Sequence, residues 1–111
     1  MNRFITYLIA LFLIVCIGVH VAGFFVHVSN EGMLSHVIHL ISYSLLLLAF
    51  LRPVKFRLLL YCIGFIYPFC YHANCFFVSM LQQHHFNSIC FDVIFVLPIA
   101  GIMILQQETK K

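Results

Sequence analysis

The placement of charge decides what this chain can become. From Phe4 to Asn30 there is no Asp, Glu, Lys or Arg, and further uncharged runs cover 32–51, 58–91 and 93–107. A helix needs roughly 20 apolar residues to cross the hydrocarbon of a bilayer. The first two runs hold one such helix each. The third is too long for one, and Gln82, Gln83, His84, His85 and Asn87 divide it. The spacing predicts an all-α transmembrane four-helix bundle made of two helical hairpins. It forms one domain over 1–111, with spans at 4–28, 33–51, 55–81 and 88–105. Open sheet edges have no place in lipid, and the chain has too few turns for a closed barrel. Composition points the same way. Hydrophobic residues make up 64% and charged residues 8%, where a soluble domain is about half apolar and about a quarter charged.

Arg3 followed by an apolar run also fits the start of a secretory signal, with Val21-Ala22-Gly23 as a loose cleavage site. The apolar run continues past that site to Val28, so the first segment is expected to stay as a helix. Leu13-Ile14-Val15-Cys16 lacks the small residue that a lipoprotein signal places before its cysteine.

Charge also orients the bundle. All six Lys and Arg fall in three places: Arg3, the group Arg52, Lys55 and Arg57, and the pair Lys110 and Lys111. Four crossings put these three places on one side. The other two connections carry no Lys or Arg and a single acid, Glu31. Cytoplasmic loops collect Lys and Arg, so both termini are expected in the cytoplasm of a bacterial inner membrane. A shift of 52 residues aligns His20-Val-Ala-Gly-Phe-Phe-Val with His72-Ala-Asn-Cys-Phe-Phe-Val. That match suggests that the second hairpin echoes the first about an axis along the membrane normal.

Histidine carries the chemistry. Under this topology His20, His27, His36, His39, His72, His84 and His85 all fall in the outer half of the membrane or in the outer loops. Counted from the predicted span ends at about 1.5 Å per residue, His20 and His72 lie roughly 12 Å deep, His39 roughly 9 Å and Asp92 roughly 6 Å. Each helix thus offers one ionisable side chain in a common slab. An ionised Asp in hydrocarbon costs at least about 2.5–3.5 kcal/mol, so Asp92 is expected to face inward toward those histidines. Helical spacing groups the candidates into faces: Cys16, His20, Gly23 and His27; then His36, His39 and Tyr43; then Phe65, Pro68, His72 and Cys75 or Phe76. Gly23 lets a neighbouring helix approach closely. Pro68 removes a backbone bond one turn before His72.

The first expectation is a metal site made by His20, His39, His72 and Asp92. His27, His36, Tyr43, His84 and His85 are secondary candidates. Imidazole and carboxylate suit zinc, iron, copper or nickel, and a metal carrier, sensor or metalloenzyme would all use such a site. Haem b is a less favoured cofactor. His20 and His72 share a depth, but the outer side has no Arg or Lys for the propionates. A His/Asp proton relay in a transporter is a further reading. So is an accessory or structural subunit whose histidines only sit in the interface zone. Partners are then the lipid bilayer and a second copy or a larger membrane complex.

The remaining features carry less. Five cysteines include no Cys-x-x-Cys, which leaves thiol redox chemistry unsupported, and Cys75 with Cys90 is the one pair expected near the outer face for a disulfide. The Phe and Tyr residues are expected as packing and lipid-facing surface. The basic group around Arg52–Arg57 is explained by topology and anionic lipid rather than nucleic acid.

Overall fold

A computed structural model of the chain describes residues 3–23, 25, 32–82 and 88–110, with the side chains of 88–91 outside the description. The chain forms α1 (Arg3–Ala22), α2 (Met33–Leu51), α3 (Arg57–Leu81) and α4 (Ser88–Thr109), with no strand among the described residues. Four helices are long and apolar enough to cross a membrane. The ends of α2 and α3 lie close to the expected spans. By contrast, α1 stops at Ala22, short of Val28. Gly23 still donates its N–H to Val19 O at 3.0 Å, and the chain then turns. Glycine is a poor helix former, which suits it to that exit.

The α2–α3 connection shows local chemistry setting a helix end. Pro53 disfavours helical backbone in the residue before it, and Arg52 is extended at φ −120°, ψ 137°. Phe56 then adopts the left-handed conformation, φ 59° and ψ 33°, before α3 begins. For a residue with a β-carbon that conformation costs roughly 1–2 kcal/mol.

Arg57 secures this end of the bundle. Its buried guanidinium donates through Nε to the carbonyl of Ala49 and through a terminal nitrogen to Phe50 O at 2.7 Å. The other terminal nitrogen donates to Gln107 Oε1 at 2.7 Å and lies 3.7 Å from Glu108 Oε1. The last carbonyls of α2 have no acceptor role inside their own helix, so Arg57 satisfies two of them. The same contacts bring the end of α2, the start of α3 and the end of α4 together. This is the terminal end of an antiparallel bundle. The end of α1, the start of α2 and the end of α3 lie at the other, distal end.

All four helices feed one core. It includes Leu13 of α1, Leu46 and Phe50 of α2, Tyr61 of α3, and Val93, Leu97, Ala100 and Ile104 of α4. Those α4 residues recur at helical spacing and define its inward stripe. Gly64 brings α3 against α2, since a β-carbon there would lie 2.8 Å from Ser42 O. Outward faces are apolar as well. Phe4, Leu8, Leu11, Leu34, Ile41, Ile63 and Ile99 are all exposed, which lipid tolerates and water does not.

Candidate metal centre

Three helices bring four buried histidines to the distal half of the bundle. His20 lies in the last turn of α1, His36 and His39 in the first turns of α2, and His72 on α3 one turn beyond Pro68. Their rings touch in series. The His36 and His20 centroids are 5.1 Å apart and tilted by 59°. Those of His20 and His39 are stacked at 4.3 Å and 7°. His39 and His72 follow at 5.4 Å and 50°.

Within this series His20, His39 and His72 each offer a ring nitrogen within 4.8 Å of the other two. Two imidazole nitrogens on one tetrahedral zinc lie about 3.3 Å apart, from metal–nitrogen distances of about 2.0–2.1 Å. Their separations do not exceed 4.8 Å, so a shared ion would need closure by up to about 1.5 Å together with a turn of the His20 or His39 ring, because the two are stacked at 7° and an imidazole lone pair lies in its ring plane.

Each ring is also held by a hydrogen bond at one of its nitrogens. His39 Nδ1 donates to Ser35 O at 2.9 Å. A carbonyl only accepts, so Nδ1 carries the proton and the buried Nε2 carries the lone pair. His72 Nε2 pairs with the Tyr43 hydroxyl at 3.3 Å. His20 Nδ1 lies 2.8 Å from His36 Nδ1, with one of the two donating. Ligand histidines in metal sites are held in this manner, through the nitrogen that does not bind the ion.

Tyrosines complete the surround. Tyr67 and Tyr71 stand edge-on to His39, each with centroids 4.9 Å away. The Tyr67 hydroxyl is 2.9 Å from Ser35 Oγ. These two tyrosines pack as expected of the Phe and Tyr residues, but against the histidine cluster. Their signal was available, since Tyr67 and Tyr71 lie one turn apart on α3 and Ser35 lies one turn before His39.

The expected residues divide as follows. His20, His39 and His72 come together, with His36 and Tyr43 bonded to two of them. Asp92 is exposed and stands outside the group. Counting residues from a helix end yields its level, but the inward stripe of α4 begins at Val93, and Asp92 lies a helical step away from it. Three helices, α1, α2 and α3, each bring one histidine to the group, and Asp92 of α4 is not in it. His27, His84 and His85 lie outside the described residues. So does a Cys75–Cys90 pairing, because the Cys90 side chain is not described; Cys75 itself is half-buried on α3.

No known protein family, characterised protein or solved structure matches this chain.

Proposed function

We propose that this chain is an integral membrane protein that binds one first-row transition-metal ion through His20, His39 and His72. The observation that carries this reading is the convergence of one nitrogen from each of three buried imidazoles within 4.8 Å. Neutral imidazole suits zinc, copper, iron and nickel. Three histidine ligands leave a position for an exchangeable group, the arrangement of carrier and catalytic sites rather than of closed structural ones. The charge pattern supports insertion in a bacterial inner membrane with both termini cytoplasmic. The distal end, and the site with it, then faces outward.

The same contacts weigh against haem b. A macrocycle between His20 and His72 needs a plane clear of side chains, and the His39 ring lies against both, at 4.3 and 5.4 Å. A proton relay is the second reading, favoured by the His20–His36 and His72–Tyr43 hydrogen bonds.

The test is elemental analysis and a visible spectrum on protein purified in mild detergent, before and after reconstitution with zinc, copper or iron. One metal per chain without a Soret band is the expected result. His72→Ala should abolish binding and His85→Ala should leave it intact. Absence of stoichiometric metal after reconstitution overturns the proposal, and metal-free proton flux in liposomes then selects the relay.

A further inference from the structure

We infer that ions reach and leave the three-histidine site through His36, with His20 passing them from its Nδ1 to its Nε2. This rests on the metal-binding reading above and adds the route. His36 lies in the first turn of α2, closer to the distal end of that helix than His39. Its ring is buried and sits in the hollow that Gly23 leaves, against the exit of α1. From there the ring contacts run from His36 to His20, to His39 and to His72.

The joint between His36 and His20 is already close to a coordination geometry. Their Nδ1 atoms face each other at 2.8 Å, and two imidazole nitrogens on one ion lie about 3.3 Å apart. An ion can replace the shared proton there with a shift of about 0.5 Å between the rings. The proton balance is explicit. A neutral imidazole holds one proton and one lone pair. With an ion held between the two Nδ1 atoms, the ring that had been the donor carries its proton on Nε2 instead. For His20 to bind the inner position through Nε2, its proton returns to Nδ1 and hydrogen-bonds to His36. His20 therefore binds through one nitrogen at a time. The route holds a single ion, alternately outer and inner, and no proton is consumed in the transfer.

A group on the route slows loading, even where it also orients a ligand. A group that only orients His20 changes the equilibrium. The experiment uses the full-length protein in detergent, with Co²⁺ as the probe. Loading is followed by stopped-flow absorbance, release by excess chelator, and affinity by competition. The variants are His36→Ala and His36→Gln, the second keeping a hydrogen-bonding side chain beside His20 should the first fail to fold. Loading is expected to slow on the order of tenfold in both variants with the Co²⁺ spectrum unchanged, while affinity falls about 10–100-fold in His36→Ala, where His20 loses its outer partner, and less in His36→Gln, which keeps one. Unaltered rates overturn the route. A weakened affinity with an unaltered loading rate overturns it too, and makes His36 an orienting residue. Loss of the native Co²⁺ spectrum makes His36 a ligand of the final site. Failure of the unmodified protein to take up Co²⁺, zinc or copper rejects the metal-binding reading itself.

Discussion

A β-carbon at Gly23 would lie 2.5 Å from His36 Cε1 and 2.6 Å from His36 Nε2, so the imidazole occupies the room that the glycine leaves. Through that contact α1 and α2 approach closely enough for His20 and His36 to hydrogen-bond. The tolerance of glycine for close helix approach here serves a ring rather than a backbone.

Gly23→Ala should push the His36 ring away and break its bond to His20. The expected loss is about 1–3 kcal/mol, the range for leaving a buried polar group unsatisfied. Any gain in helix propensity is at most about 1 kcal/mol and does not offset it. Thermal unfolding in mild detergent measures the difference. Native stability in this variant would show that the ring has another place to go.

Tyr43→Phe keeps a fully buried ring and removes only the hydroxyl that lies 3.3 Å from His72 Nε2. Stability should change by about 1 kcal/mol. Metal affinity should fall about 10–100-fold, as it does when a ligand histidine loses its outer partner. Chelator competition reads the second quantity. An unchanged affinity would remove Tyr43 from the site.

Arg57→Leu leaves the carbonyls of Ala49 and Phe50 without their guanidinium donors at the terminal end of the bundle. A loss of about 2–6 kcal/mol is expected, from two buried acceptors left without partners. Arg57→Lys should recover part of it, since an ammonium cannot reproduce the planar fork. Denaturation in mixed micelles measures both. Metal binding at the opposite end should be unaffected in folded protein, and a leucine variant as stable as the native chain would count against the clamp.

Two glycines should respond in opposite directions to the same change. At Gly64 an added β-carbon meets Ser42 O at 2.8 Å and Leu46 Cγ at 3.1 Å, and backbone cannot yield cheaply. Gly64→Ala should destabilise by about 1–3 kcal/mol. Gly18 has nothing within 4 Å of that position. Gly18→Ala should be neutral or stabilising by up to about 1 kcal/mol. Equal effects at the two positions would contradict the α2–α3 packing.

Much of the histidine cluster could be read before any fold was known, because its signal is periodic. His36, His39 and Tyr43 recur at helical spacing, and the structure buries all three on one face of α2. Cys16, His20 and Gly23 behave alike on α1. Asp92 did not follow, because depth is one coordinate and rotation about the helix axis is another. Its rotation was readable only from the apolar stripe Val93, Leu97, Ala100 and Ile104, which leaves Asp92 exposed.

Charge placement, with the uncharged polar stretch near 82–87, determined the number of helices long and apolar enough to cross a membrane and, for α2, both ends, since the cost of a charge in hydrocarbon acts residue by residue along the chain. Tertiary structure decided which nitrogens meet. The 2.8 Å contact of His20 with His36, and the meeting of His20, His39 and His72, depend on where Gly23 and Gly64 let helices close and how each helix is turned. Those are packing choices among residues far apart in sequence, and no local pattern encodes them.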